Sequence, residues 1–401
     1  MPDERLPVER ARASGQAAFG RDWTPDRVAH APGRLELLGN HVDYNGGNVL
    51  AAAIDRSVAV AVAASAAPET VEIVFADVEG LGSAQIQLGG LVDWRNHEHV
   101  PAPADYLRGA IAALVKRELI DLRRSLQVAV AGDVPIGLGL SSSAALCVAF
   151  VLALASQTPV QRDVVLLAQE AEHRAGTPCG TMDQSSSLAG GFIRFDAKRV
   201  SFVKLEPDLG DHVFAIADSG VTRVLSQSSY PLRVEESKSA LEIVNRELGH
   251  KYENLAEVSR RDLETLEDSA DGQLPSVLLR RIRHVVRECE RVELGYEAMK
   301  AGDWIEFGRL MTLSGRSSAL DYEISHPRVE ELVRESLTVD GVLGARMMGG
   351  GEGGVALILA RRSTVPALER TLDQGYYARN ALPTTVYVLQ PAPGANVRDV
   401  T

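Results

Sequence analysis

Residues 135–145 read PIGLGLSSSAA, and the rest of the chain is best read outward from them. The stretch follows Leu126 to Val130, where apolar and polar side chains alternate as on a half-buried strand. It opens an apolar run after Ser143 that suits a buried helix. Glycines let a backbone approach a ligand closely. A helix N-terminus offers unpaired N–H groups and the positive end of its dipole, where phosphate binds. Serine hydroxyls add hydrogen bonds or ligate Mg²⁺. The loop is not a Walker A sequence, which requires a lysine after its last glycine. The plainer reading is a serine cap on a buried helix; three serines after two glycines favour phosphate.

Three further stretches stand out. Residues 31–47, APGRLELLGNHVDYNGG, crowd Arg34, Glu36, Asn40, His41, Asp43 and Tyr44 between glycines. That density of hydrogen-bonding groups suits a small polyhydroxylated ligand, or else a polar turn whose side chains satisfy one another. Residues 349–354, GGGEGG, match G-x-G-x-x-G, but a strand follows where a dinucleotide site needs a helix. A glycine loop packed on a ligand or another loop is the better reading. Residues 179–184, CGTMDQ, set Asp183 among small and apolar neighbours. A carboxylate there can orient or deprotonate an attacking hydroxyl; a lone aspartate in a loop is otherwise a turn or cap residue.

Around these stretches the first half alternates like strands, at Val58–Val62 and Gln85–Gln87, with a helix over Val165–Arg174. Glu235 to Arg309 has helical spacing, with Leu241, Val244 and Leu248 on one face and Ile282, Val285, Val286, Cys289 and Val292 on another. The end alternates again: a strand over Val355–Leu359, a helix near Ala367–Asp373 and a strand over Thr385–Leu389. This is a mixed α+β chain with a boundary near residue 205. A net charge of −12 disfavours nucleic acid and anionic membranes as partners. The longest apolar run, Ala144 to Ala155, is too short to span a bilayer. Cys147, Cys179 and Cys289 are too few and too scattered for a disulfide framework or a zinc site, which points to a reducing cytoplasm.

Taken together, the four stretches resemble the GHMP kinase superfamily and, within it, the galactokinase family. Arg34 to Gly47 resembles the signature G-R-x-N-[LIV]-I-G-E-H-T-D-Y-N-x-G; Gly137 to Ala145 resembles the phosphate loop G-x-G-L-S-S-S-A-A. Cys179 to Gln184 resembles C-G-I-M-D-Q, and Gly344 to Gly354 resembles G-x-R-x-T-G-A-G-F-G-G. Their order agrees, and so do the segments 283–291, 307–311 and 321–325 between them.

The resemblance implies a two-domain α+β fold, residues 1–205 and 206–401, with the active site in the cleft between them. It implies ATP and Mg²⁺ as cofactors, a small-molecule sugar as partner, and a cytoplasmic monomer. Asp183 is then the catalytic aspartate, and Arg34 stabilises charge on the reacting groups. Gly137, Leu138, Gly139, Leu140, Ser141, Ser142, Ser143 and Ala144 cradle the ATP phosphates, and Ser143 and Glu172 hold Mg²⁺. Glu36, Asn40, His41, Asp43, Gly180 and Tyr230, the last within SQSSYPLR, contact the sugar. Two positions depart from the family. Glu36 stands where asparagine is usual and Asn40 where glutamate is usual, so the choice of sugar is open. Glu352 stands where phenylalanine is usual; a carboxylate there repels phosphate unless it points away or faces a cation. The implied reaction is transfer of the ATP γ-phosphoryl to the 1-hydroxyl of galactose. The alternatives are another sugar, such as N-acetylgalactosamine or L-arabinose, or a non-catalytic sugar sensor. Ala144 and Ala145, which follow the serine run, favour the enzyme.

Overall fold

A computed structural model describes residues 5–65, 70–78, 82–97, 100–120, 125–222, 229–268 and 274–400. The strands are β1 (Arg27–Leu38), β2 (Asn48–Ser65), β3 (Thr70–Phe75), β4 (Ser83–Gln87), β5 (Ser125–Gly132), β6 (Phe192–Asp196), β7 (Ser201–Leu205), β8 (His212–Asp218), β9 (Val342–Met347), β10 (Val355–Arg361), β11 (Val386–Leu389) and β12 (Asn396–Asp399). They form two sheets. The larger runs β12-β1-β2-β5-β3-β4, with β6 pairing β2 and β7; the smaller runs β11-β8-β10-β9. All pairs are antiparallel except β3 with β5. The change of sheet falls between Leu205 and His212, and β12 carries the chain end back onto β1.

Among the described residues the longer helices are α1 (Pro7–Phe19), α2 (Pro103–Lys116), α3 (Ser142–Leu154), α4 (Gln161–Ala175), α5 (Met182–Ala189), α6 (Tyr230–Leu248), α7 (Arg260–Asp268), α8 (Ser276–Ala301), α9 (Trp304–Leu320), α10 (Pro327–Ser336) and α11 (Val365–Leu372). Every residue of α3 from Ala144 to Leu154 is buried, as an all-round apolar helix must be. It lies against β1 and β2, which sets its N-terminus, and the glycine–serine loop before it, at the rim of the larger sheet. The middle of the chain is helical as its periodicity predicts: Val244 of α6 and Ile282, Val285, Val286 and Val292 of α8 are buried.

Two elements differ from the sequence reading. Residues 27–38 form a strand although Pro32 and Gly33 interrupt any alternation. The interruption becomes an irregularity: the register of β1 on β2 shifts between Pro32 and Arg34, and again between Glu36 and Leu38. Such bulges re-aim side chains next to functional sites. Asp183 lies in the first turn of α5, not in a loop. That short helix is buried despite its serines because they bond backbone carbonyls: Ser185 Oγ donates to Thr181 O at 2.7 Å and Ser187 Oγ to Pro32 O at 2.6 Å.

Candidate active site

A cleft of about 350 Å³ lies where β1, the loop before α3, the start of α5, the start of α6 and the 349–354 loop meet. Residues two apart on a strand share a face, so β1 presents Arg34 and Glu36 together while Leu35 and Leu37 go to the core. Arg34 Nε and Nη2 donate to the two carboxylate oxygens of Asp183 at 2.9 and 3.0 Å. Arg34 Nη1 donates to Gly139 O at 2.5 Å, and Arg34 N donates to Leu140 O at 3.1 Å. One arginine thus ties the glycine–serine loop to the aspartate. Ser141, held at φ 58° at the cap of α3, donates its hydroxyl to Asp183 Oδ2.

Asp43 faces the other end of the cleft. Burial, then the charge of Glu36, raises its pKa to about 7. Gly180 is required beside it: a Cβ on Gly180 would stand 1.9 Å from Asp43 Oδ2. His41 (φ 60°) bonds Tyr44 Oη through Nδ1 at 2.9 Å. Its ring packs on Tyr230 with centroids 5.3 Å apart. Behind these, Tyr322 Oη meets Tyr44 Oη at 2.9 Å and Ser237 Oγ at 2.8 Å.

Of the residues expected at the site, Asn40, Leu138, Ala144 and Glu172 do not line the cleft; the others do. Leu138 packs on the hydrophobic core and Ala144 is wholly buried. Asn40 is buried, and its side chain is fully engaged. Its Nδ2 donates to Glu36 Oε1 at 2.8 Å and to Gly349 O at 2.9 Å, while Oδ1 accepts from Ser318 Oγ at 2.9 Å. Glu36 Oε1 also takes Arg346 Nη2 at 3.0 Å. Glu36, not Asn40, therefore brings a carboxylate to the cleft.

Glu172 is buried behind Ser143, whose hydroxyl bonds it, and Gln184 Nε2 donates to it. Burial raises its pKa to about 7. Among the described residues no group of three or more His, Cys, Asp or Glu side chains could hold a metal. Glu352 turns away from the cleft: both its oxygens lie 3.1 Å from Ser229 N at the start of α6. Part of SQSSYPLR, residues 226–228, lies outside the described residues.

The sequence reading missed the residues that hold this site in place. Glu288 accepts from Gly39 N (2.9 Å), Ser314 Oγ (2.6 Å) and Arg291 Nε (2.7 Å). Burial would raise its pKa, but the charges of Arg291, His284 and Arg346 outweigh that and bring it to about 2. His284 Nε2 lies 2.9 Å from Asn40 O, and burial lowers its pKa to about 4. Only the helical spacing around residues 282–292 could have flagged α8, and it marks the helix rather than this face.

The chain is 36% identical to the galactokinase of Homo sapiens, over 97% of this chain and 96% of that one. The chain belongs to the galactokinase family. The galactokinase of Thermosipho africanus is 32% identical over 91% of this chain and 97% of its own length. The galactokinase galactose-binding signature matches residues 16–64, the GHMP kinase N-terminal domain residues 105–191 and the GHMP kinase C-terminal domain residues 296–378. The galactokinase of Lactococcus lactis, solved with galactose, superposes with a TM-score of 0.87 at 25% identity, covering 97% of this chain and 99% of that one. The protein is thus a sugar kinase with the GHMP kinase fold, and its family uses ATP. Among the described residues no helix is long and apolar enough to cross a membrane.

Proposed function

We propose that the protein transfers the γ-phosphoryl of MgATP to the 1-hydroxyl of galactose, giving galactose 1-phosphate and ADP. The observation that carries this reading is the Arg34–Asp183–Ser141 cluster: it joins the phosphate-type loop to a carboxylate within the same cleft as Asp43 and Glu36. Phosphoryl transfer needs mainly positioning and neutralised charge, and each part has a place. The N-terminus of α3 and the loop from Gly137 to Ser143 offer N–H groups and hydroxyls to the phosphates. Arg34, always charged, offsets negative charge on the moving phosphoryl.

Asp183 orients the sugar and takes up its proton. A carboxylate has about four acceptor positions. Arg34 fills one on each oxygen and Ser141 a second on Oδ2, which leaves one on Oδ1 for the 1-hydroxyl. Ser143 lines the cleft and would be the protein group on Mg²⁺, which needs only one or two besides phosphate, and Glu172, buried behind it, would act through the Ser143 hydroxyl. When bound, the ion neutralises phosphate charge.

Glu36, Asp43, His41 and Tyr230 hold the sugar, with Gly180 leaving room for Asp43 and Asn40 supporting Glu36. In this reading residues 1–205 supply the phosphate loop and most of the sugar pocket, and 206–401 supply Tyr230 and the 349–354 loop. The named residues come from one chain, so a monomer is a complete unit. The three free thiols suit a reducing cytoplasm. The test is ADP release from a panel of free sugars. Galactose is expected to outpace glucose by about 100-fold, because a site built to pair an axial hydroxyl leaves groups unsatisfied with the epimer. Equal turnover of the two, or none with any sugar, would overturn the reading.

A further inference from the structure

We infer that Glu352 is a positioning residue for Tyr230: its carboxylate fastens the 349–354 loop to the start of α6 and so sets the tyrosine against the sugar. The inference rests on the proposed reading of the cleft as a sugar site, and deepens it.

The loop that carries Glu352 is clamped. Glu352 N donates to Ile324 O at 2.7 Å and Gly354 N to Val221 O at 3.0 Å. A Cβ on Gly351 would stand 2.1 Å from Ile324 O, and one on Gly353 2.7 Å from Val221 O. Glu352 itself has φ 60°, a conformation that glycine adopts freely and glutamate does not. A strained residue persists where surrounding structure over-determines it, and here the return is a specific contact. Both carboxylate oxygens meet Ser229 N at 3.1 Å. Ser229 is the cap residue of α6 and Tyr230 its first residue. A carboxylate at a helix N-terminus is favoured by the dipole as well as by the N–H, so the negative charge in this glycine loop is met by α6.

The consequence reaches the sugar through one peptide bond. Tyr230 lines the cleft, and its ring packs on His41 at 5.3 Å and Tyr44 at 5.4 Å between centroids. Further along, α6 is tied down through Ser237, whose hydroxyl lies 2.8 Å from Tyr322 Oη. Glu352 anchors the turn that Ser237 does not reach. Gly349 and Gly350, from the same loop, also line the cleft, so loop, helix start and tyrosine move as one body while the contact holds.

The test is steady-state kinetics with galactose and ATP on Glu352→Gly, Glu352→Gln, Tyr230→Ala and the double variant Glu352→Gly/Tyr230→Ala. Glycine suits φ 60°, so the first variant removes the carboxylate without disturbing the loop, and its melting temperature checks this. Glu352→Gly is expected to raise the KM for galactose about 5-fold, what one capping interaction is worth, with the KM for ATP and kcat unchanged. Glutamine keeps an acceptor oxygen and is expected to restore the KM to within about 2-fold of the original. In the Tyr230→Ala background, Glu352→Gly should add nothing, because the residue acts through the tyrosine. Additive effects on the galactose KM, or a changed ATP KM with the galactose KM intact, would overturn the inference. If the unaltered enzyme phosphorylates galactose and Glu352→Gly is silent, this inference alone fails. If the unaltered enzyme phosphorylates no sugar, the reading of the cleft fails and takes this inference with it.

Discussion

Strand β1 carries two charged side chains two residues apart, and each makes an ion pair with a distant partner. Arg34 pairs with Asp183 at 2.9 Å, and Glu36 pairs with Arg346 at 3.0 Å. The two pairs are used differently. Asp183 retains 26% of its side-chain exposure, whereas Arg346 retains none. The first pair sits at the cleft, with acceptor capacity left for a substrate. The second is sealed at its cation: Arg346 gives two further donors to Met347 O and Leu37 O at 2.8 and 3.2 Å, while Glu36 still lines the cleft. Similar chemistry therefore lies open to the cleft at one position and joins β1 to β9 at the other. Changes to the two pairs should separate into loss of stability and loss of rate.

The largest effect is expected at the sealed pair. Arg346→Leu leaves Glu36 buried beside Asn40 without its cation. Removing one partner of a buried pair costs about 3–5 kcal/mol. Urea unfolding followed by circular dichroism should show a loss of that order, and a change below about 1 kcal/mol, the range of exposed pairs, would show that the pair does not hold the fold. Asp183→Asn is expected to do the reverse. Asparagine keeps the shape and an acceptor oxygen for Arg34, and the Asp183 side chain is a quarter exposed, so stability should fall much less than in Arg346→Leu. Phosphorylation should fall by about 100-fold or more, the upper part of what a proton-handling group contributes. Sugar binding, read by calorimetry, should persist.

The contrast also explains which parts could be read from the sequence. Local periodicity carried β2, β5, α4 and the helical middle, because burial on one face imprints a period within a few residues. The glycine–serine loop before α3 was legible for the same reason: its glycines, serines and apolar helix are contiguous. The Glu36–Arg346 pair spans 310 residues, and no local pattern records such a pairing. The exchange of Glu36 and Asn40 looked like a change at the sugar. The structure sends the Asn40 amide inward, to Glu36 and Gly349, and leaves Glu36 facing the cleft. Strand β1 was hidden because Pro32 and Gly33, which create its irregular register, are strand breakers by composition. Return of β12 to the first sheet was hidden because four exposed or half-buried residues at the chain end carry little pattern.

A smaller effect should follow from crowding the sugar end. Gly180→Ala places a methyl group 1.9 Å from Asp43 Oδ2, so the aspartate must move. Overpacking costs about 1–3 kcal/mol, and at about 1.4 kcal/mol per decade this should raise the galactose KM roughly tenfold. Isothermal titration with ATP should be unaffected; a matching loss of ATP affinity would mean that the methyl disturbs the whole cleft rather than Asp43.

The gentlest way to separate the two pairs is pH. Asp43 stands between them, facing Glu36 of β1 and Asp183 of α5, with His41, Tyr44 and Tyr230 around it. Its pKa is raised to about 7, first by burial and then by the Glu36 charge, with Asp183 adding to it. A raised carboxyl pKa means the free enzyme holds the proton up to that pH. The ionised form, which accepts hydroxyl hydrogen bonds from two directions, therefore appears only as the pH rises through 7. The galactose kcat/KM, which reports groups of the free enzyme, should climb about tenfold between pH 6 and 8 and level off above. Glu172, also raised to about 7, should act on the Mg²⁺ requirement instead, so saturating Mg²⁺ isolates Asp43. Glu36→Gln removes a negative neighbour, favours ionised Asp43 and must move the midpoint to lower pH. A profile of kcat/KM whose midpoint stays fixed in Glu36→Gln would show that the two carboxylates do not share the cleft. A midpoint that falls would place both at the sugar, with Arg346 holding one of them there from behind.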